Sequence, residues 1–421
     1  MQQEKWKLEV QSEVGALEAV ILHTPGPEVE NMTPKMAQRA LYSDILNLSI
    51  AQNEYAQLSG LLQKVCEIYQ VKDLLAGVLD NYAAREALIG KICLSEQASD
   101  YFDLLMDMSS SVLASRLIEG LPARVDTLTA FLCDEYYALL PLYNFYFTRD
   151  ASVTIGNQSL ICKMASKVRM RESLIMEAIF RHNPYFSSET INTFDIQANN
   201  DKVFIEGGDV LVAREDILIV GNGMRTSSQG IDLLVNRLCK RVDSGKFHVV
   251  VQQLPDTPES FIHLDMAFTL LDVDKCMVFE PLILHDNKYE TVLMTIEDGR
   301  VKKIRSENNI PSVLRRLGMD LQPIVCGGTL DEWNQEREQW HSGANFFAIA
   351  PGKVISYARN IHTLEEMSKH GFEIIPAQDV IDGKVELAKT GPCVLTLAGS
   401  ELARGGGGAR CMTMPLKRKN A

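Results

Sequence analysis

No apolar run in this chain approaches the ~18 residues needed to cross a bilayer. The opening MQQEKWKLEV also lacks the basic start and apolar stretch of a secretory signal. These two absences give a cytoplasmic location as the expectation, with no membrane partner. Paired cysteines at metal-site spacing are missing as well. The nine cysteines stand at 66, 93, 133, 162, 239, 276, 326, 393 and 411; none form a CxxC, and nine is odd. That pattern argues against a disulfide framework or a structural zinc cluster and for free thiols in a reducing compartment. Positive charge is short too: 42 Lys and Arg stand against 55 Asp and Glu, a formal net charge of -13. Such a surface repels phosphate backbones and anionic lipid, so nucleic acid is not an expected partner. What remains is 46% hydrophobic and 23% charged, the make-up of a globular protein and not of a disordered one. The length of 421 residues permits a large core, as one big domain or two or three smaller ones.

Along the chain, VGALEAVILH at 14–23 reads as a buried strand closed by Pro25-Gly26. From 34 to 69 the pattern turns helical, with Leu41, Ile45, Leu48, Ala51, Tyr55, Leu58 and Leu62 at three- to four-residue spacing. Residues 73–140 carry further apolar residues at helical spacing, with Pro122 the one proline after Asp80, and read as a compact helical insertion. From Phe145 onward, short β-rich runs (ASVTIG, DKVFIEGG, DVLVAR, DILIVGNG, FHVVVQQL, KCMVFEPLIL, NFFAIAPGKVISYAR, PCVLTLAG) alternate with helical stretches at 166–182, 228–242 and 363–370. That alternation predicts an α/β architecture. The segments share a strand-turn-strand-helix form at irregular spacing, which points to a degenerate structural repeat. The terminal KRKN reads as a solvated tail.

Four short segments place polar groups inside apolar, strand-like surroundings: Phe147-Thr148-Arg149-Asp150, Glu206-Gly207-Gly208-Asp209, His263-Leu264-Asp265, and the loop Arg404 to Cys411, RGGGGARC. On a strand, His263 and Asp265 would face one side and share a pocket. Such a pair can shuttle protons and orient a cation, or it can be a satisfied core pair. The paired glycines after Glu206 allow close backbone approach. A buried Glu206 needs a partner; the alternative is a tight turn with an exposed acidic rim. Asp209 could support that turn. The four-glycine loop lacks the Lys-Ser/Thr and the following helix of a phosphate loop, and CMTMPL after it is too apolar for a disordered tail. A loop that delivers Cys411 to a pocket fits better. A thiol, a histidine and several carboxylates together suit attack on the carbon of a bound cation such as a guanidinium, which carboxylates grip by paired hydrogen bonds.

In that order, FTRD, EGGDV, HLDMAFT and GGGGARCMTMPL resemble the arginine deiminases, a family of guanidino-modifying enzymes. SEVGALEAVILHTPG, GNGMRTS at 221–227, EQW at 338–340 and APGKVISYARN at 350–360 extend the likeness over nearly the whole chain. The resemblance implies a five-fold pseudosymmetric α/β propeller of pentein type over 1–72 and 141–421, with the helical insertion at 73–140. It implies hydrolysis of L-arginine to L-citrulline and ammonia, without a cofactor or metal, by a homo-oligomer. Carried over by position, Cys411 is the nucleophile, Asp150 and Asp265 grip the guanidinium, His263 moves protons, and Glu206 binds the guanidinium and steadies His263. Asn144, Phe147, Arg169 and Arg225 are the substrate-binding positions. The two arginines would meet the carboxylate and Asn144 the α-amino end, with Arg171 an alternative to Arg169. A loop around Asp44 would close over the site. Four positions depart from the family pattern: Ala151 for a proline, Tyr55 for a histidine, Gly406 for an arginine that some members use on the substrate carboxylate, and one acid instead of two at Tyr42-Ser43-Asp44. The competing readings are a dimethylarginine hydrolase, an amidinotransferase, or a non-catalytic guanidino-binding protein.

Overall fold

The stretch LEAVIL is apolar almost throughout, and strand Leu17–Leu22 is accordingly buried along nearly its whole length. Such runs suit strands covered on both faces, where a parallel neighbour needs a crossover to reach. The computed structural model describes residues 5–33, 44–132, 136–193, 202–240 and 245–421. Tyr42, Ser43, Cys133 and the predicted helical positions before Asp44 lie outside the described residues.

Among the described residues, five sheets share one plan, an antiparallel pair followed by a parallel strand. In the first, Ser152–Ile155 pairs antiparallel with Gln158–Ile161, which pairs parallel with Glu189–Asn192. The second repeats this with Val210–Arg214, Ile217–Asn222 and Lys246–Gln253. The third uses Phe268–Asp272, Lys275–Val278 and Gln322–Val325. The fourth uses Phe347–Ala350, Lys353–Tyr357 and Cys393–Leu397. The fifth joins the two ends of the chain: Met414–Arg418 pairs antiparallel with Leu17–Leu22, which pairs parallel with Glu67–Gln70. Helices make the crossovers, Met170–His182, Ser228–Cys239, Ile310–Arg316 and Leu48–Leu62 among them. The predicted strand-turn-strand-helix unit is therefore present. The second sheet is widened by Thr291–Glu297 and Arg300–Glu307, and the fourth by Glu373–Pro376. Those additions explain the irregular spacing in the sequence.

The α/β class holds, and four local expectations do not. The helical pattern does not run to 69, because Glu67–Gln70 is a strand. KRKN is not a solvated tail: Lys417 and Arg418 end strand Met414–Arg418, and Arg418 is buried with its guanidinium donating to Gly15 O at 2.7 Å. The other two lie around Glu206 and His263. DKVFIEGG reads as a strand, but residues 203–206 are extended without a ladder. Their backbone is spent elsewhere: Ile205 N–H donates to Lys163 O at 3.0 Å and Gly207 N–H to Asp150 O at 2.9 Å. His263-Leu264-Asp265 is not a strand either. His263 is extended and caps a single 3-10 turn, Leu264–Met266, that precedes strand Phe268–Asp272.

The helices Val71–Leu79, Tyr82–Ser95, Phe102–Met106 and Ser110–Glu119 follow the predicted helical spacing. Asn81 caps one of them by accepting the Ala84 N–H at 3.1 Å. Their apolar faces, with Leu88, Ile92 and Leu117, join one core with Ile175 and Ile179 of helix Met170–His182. Two ion pairs cross the same seam, Lys91 to Glu177 at 2.9 Å and Arg171 to Glu96 at 3.0 Å. This packing matters for function, because the same crossover helix begins immediately after Arg169.

Candidate active site

Each of the five sheets begins just after a turn that carries a polar side chain: Asp150, Asp209, Asp265, Asn345 and Cys411. Successive turns are hydrogen-bonded to one another in a closed circuit. Gly207 N–H donates to Asp150 O, Leu264 N–H to the Asp209 carboxylate at 2.8 Å, and Asn345 Nδ2 to Asp265 O at 3.1 Å. Arg410 N–H then donates to Asn345 Oδ1 at 2.9 Å, and Arg149 N–H to Cys411 O at 3.1 Å, which returns the circuit to its start. Asp209 thus supports the neighbouring turn, and burial pushes its carboxyl up to about 6.

A narrow cavity opens inside this ring. Cys411, His263 and Asp150 line it, as do all four predicted substrate-binding residues, Asn144, Phe147, Arg169 and Arg225. Arg171 does not reach it; its guanidinium is held by Glu96 and the Leu140 carbonyl. Of the two arginines, Arg169 is the one that lines the cavity.

Cys411 Sγ stands 3.6 Å from Asp265 Oδ2 and accepts a hydrogen bond from Asn345 Nδ2 at 3.2 Å. Burial, then the charges of Asp265 and Asp150, push its thiol well above the usual range and so favour the protonated sulfur. His263 Nε2 lies 2.9 Å from Glu206 Oε2, and Nδ1 lies 3.7 Å from Asp150 Oδ1. Burial alone would lower the imidazole; Asp150, the Glu206 hydrogen bond and Asp209 overcome that and raise it to about 9. The ring is an imidazolium near neutral pH. Gly208 is a glycine because a Cβ there would stand 2.5 Å from His263 Nδ1.

Glu206 is fully buried, which overturns the exposed-rim alternative. Burial would raise its carboxyl, but Arg225, the His263 hydrogen bond and Arg169 outweigh that and hold it at about 2. It also accepts the Ala165 N–H at 3.0 Å, and Arg225 Nη1 lies 3.7 Å away. Arg169 donates to Asp150 Oδ2 at 2.8 Å and forks onto Glu172 through Nε and Nη2. Asp150, Glu206 and His263 are close enough to offer a metal ion one donor each. Asp150 Oδ2 is engaged by Arg169 and the Glu206 oxygens by the Ala165 N–H and His263, whereas Asp150 Oδ1 has no hydrogen-bond partner and lies 3.7 Å from His263 Nδ1.

The departures are placed as follows. Gly406 has φ +84°, and nothing lies within 4 Å of where its Cβ would be. Tyr55 is buried in the core, its hydroxyl accepting the His23 N–H at 3.2 Å, away from the cavity lining. Asp44 pairs with Arg404 beside the glycine loop. Glu54, next to Tyr55, accepts the N–H groups of Ser400, Glu401 and Leu402 and so pins the start of that loop.

Sequence reasoning missed three members of the site. Arg410 is sandwiched between Glu13, at 3.0 Å through both Nε and Nη2, and Asp265 at 2.9 Å. It fixes the carboxylate that faces the sulfur. Asn345 is the third. Its signal was available: it stands just before the run FFAIA, as Asp150, Asp265 and Cys411 stand just before theirs.

A family model described as arginine deiminase matches residues 38–418. The arginine deiminase of Oenococcus oeni is 31% identical over 436 residues, which cover 99% of this chain and 99% of that protein. The arginine deiminase of Bacillus cytotoxicus is 33% identical over 435 residues, covering 99% and 100%. Among solved structures, the DDAH of Pseudomonas aeruginosa complexed with citrulline matches with a TM-score of 0.51 at 14% identity, covering 95% of this chain and 99% of that one. The N-terminal domain of ArgZ, a cyanobacterial arginine dihydrolase bound to product, matches with a TM-score of 0.51 at 13% identity, covering 95% and 97%. At such identities the structural likeness is one of fold. The helices of the described residues include none long and apolar enough to cross a membrane.

Proposed function

The chain belongs to the arginine deiminase family, hydrolases of amidine carbon–nitrogen bonds, and from that premise we propose that it converts L-arginine and water to L-citrulline and ammonia through a covalent adduct on Cys411. The observation that carries this reading is the facing pair across one narrow cavity: a sulfur backed by Asp265 and an imidazolium backed by Glu206.

The chemistry follows from the charges. An entering guanidinium neutralises Asp150 and Asp265, the two carboxylates that keep the thiol protonated. The thiol proton then leaves to solvent and the thiolate forms against a bound cation. Sulfur attacks the central carbon, a C–S bond forms, and the C=N pair moves onto nitrogen. His263 gives its proton to one NH2 group, which departs as ammonia and leaves an S-alkylthiouronium cation. The neutral imidazole next takes a proton from water, whose oxygen attacks the same carbon. The C–S bond breaks with its pair on sulfur, the O–H proton returns to the thiolate, and citrulline is released.

At the far end of the substrate, Arg225 is the cation best able to meet the carboxylate, because Arg169 is engaged by Asp150 and Glu172. The closed circuit of five turns supports a five-fold pseudosymmetric propeller of pentein type around the cavity. We take 1–72 and 141–421 as that catalytic unit and 73–140 as the inserted helical domain. A cytoplasmic homo-oligomer fits the family and the exposed apolar side chains Leu330 and Trp333. Acid quenching of the enzyme with guanidino-labelled L-arginine tests the mechanism: label is expected on the peptide that carries Cys411, and label fixed to any other residue would contradict it.

A further inference from the structure

Four of the five turns at the base of the strands have a place in the mechanism or in the support of His263; the fourth in chain order, carrying Asn345, has none. Its side chain is almost completely buried and every polar atom of it is engaged. Oδ1 accepts the backbone N–H of Arg410 at 2.9 Å and of Cys411 at 3.4 Å. Nδ2 donates to the Asp265 carbonyl at 3.1 Å and to Cys411 Sγ at 3.2 Å. This set fixes which way the amide faces. Two backbone N–H donors require the oxygen on their side, since the reversed amide would set donor against donor. The NH2 group is thereby aimed at the sulfur. The glycine loop is shaped to admit it: a Cβ on Gly408 would stand 2.6 Å from Asn345 Oδ1.

Around Cys411 the charged carboxylates work against a negative sulfur, the backbone N–H of Gly408 favours it, and the other polar side chains are engaged elsewhere. Asp265 is 3.6 Å from Sγ and anionic, and Asp150 lines the same cavity. Arg410 spends its charge on Glu13 and Asp265. The His263 imidazolium is tied to Glu206, and the Tyr357 hydroxyl donates to the Gly407 carbonyl. Among the described residues, the side-chain N–H donor on the sulfur is Asn345 Nδ2, at 3.2 Å, and it stands beside the backbone N–H of Gly408. We propose that Asn345 is a catalytic residue, whose Nδ2–H stabilises the Cys411 thiolate as it forms and whose Oδ1 holds the Arg410–Cys411 backbone so that the sulfur faces the guanidinium carbon. This rests on the reading of Cys411 as the nucleophile. The bond persists through the thiolate, weakens when sulfur is bonded to carbon, and strengthens again when the C–S bond breaks. Both half-reactions therefore use it.

Asn345→Asp separates the two functions of the amide, because it keeps oxygens for the backbone N–H groups and removes the donor from the sulfur. The test measures the rate of Cys411 alkylation by iodoacetamide at fixed pH values between about 7 and 9, where rate follows thiolate fraction, together with steady-state kinetics on L-arginine. Asn345→Asp is expected to slow alkylation and to lower kcat by about tenfold to a hundredfold, the range spanned by a hydrogen bond to a charged group, with KM changed less than about threefold. Asn345→Ser, which is smaller and cannot reach the sulfur, is expected to behave alike and serves if the aspartate variant does not fold. Alkylation and kcat both within about threefold of wild type in a folded variant would overturn the proposal, as would a lowered melting temperature with an unchanged alkylation rate. Cys411→Ala run alongside distinguishes the failures: full turnover in that variant removes the nucleophile reading itself, whereas its inactivity beside unaltered Asn345 variants removes only the role of the amide.

Discussion

Arg169 Nη1 lies 2.8 Å from Asp150 Oδ2, so one of the two carboxylates assigned to the substrate guanidinium already holds a guanidinium of the protein. The same arginine also neutralises Glu172 at 2.8 Å, all three groups being buried. Breaking such a network from one side leaves uncompensated charge. Arg169→Ala is expected to lower unfolding free energy by about 3–5 kcal/mol, read from urea denaturation. A loss below about 1 kcal/mol, the scale of an exposed pair, would show the network to be dispensable.

Arg225 is placed differently. It lines the cavity, and its closest carboxylate, Glu206, is 3.7 Å away, long for a hydrogen bond. Gly406 offers no side chain to share the work. Arg225→Ala is therefore expected to raise KM for L-arginine by about tenfold to a hundredfold, the worth of a charge-assisted hydrogen bond. The decarboxylated analogue should lose much less. Equal losses for both compounds would count against carboxylate recognition at this position.

The raised imidazole of His263 sets a pH limit. The proposed first half-reaction needs the imidazolium, so kcat/KM is expected to fall as pH rises through about 9. Glu206→Gln removes a hydrogen-bond acceptor and a charge that support the proton, and the limb should move to lower pH. Stability follows the same sign. A folded value raised from 6.5 to about 9 contributes stability that is full below 6.5 and is lost as pH climbs toward 9. The stability difference between wild type and His263→Gln should therefore narrow over that interval, and a difference that widens would contradict the assignment.

Glu13 runs the opposite way. Burial would raise its carboxyl, but Arg410, then Arg149, hold it at about 2 against an ordinary 4.5. Its contribution is present above 4.5 and is lost as pH falls toward 2. Glu13→Gln should cost about 3–5 kcal/mol at neutral pH and should flatten the acid limb of the stability profile. It should also reduce kcat, because Asp265 is then the one carboxylate left on Arg410, beside the Val210 and Gly208 carbonyls. An acid limb as steep as that of wild type would refute the role.

Which parts of this were legible in the sequence follows from how each residue is held. Cys411, His263, Glu206, Asp150 and Asp265 stood out because acids, a histidine and glycines interrupt apolar runs, and the structure brings all five to one ring of turns. The sequence suggested a strand for His263 and Asp265, where the chain makes a 3-10 turn. Alternation alone cannot separate the two, since both put neighbouring polar groups at the end of an apolar run. Arg410 and Glu13 were invisible because they pair across 397 positions, and neither has a local partner that marks it. Asn345 was missed because an amide between the turn HSGA and a phenylalanine pair carries no titratable group. The repeat would have exposed it, had its five copies been lined up at the first strand of each unit. The Leu17–Leu22 strand was read correctly, but its partner is the last strand of the chain, a closure that local patterning does not record.

The most direct test of the central claim is citrulline production from L-arginine, measured for the wild type and Cys411→Ala at matched concentration across a range of pH. The wild type should release citrulline and ammonia in equal amounts, and Cys411→Ala should release neither above the uncatalysed rate while remaining folded. No citrulline from the wild type, or full turnover in Cys411→Ala, would contradict the account.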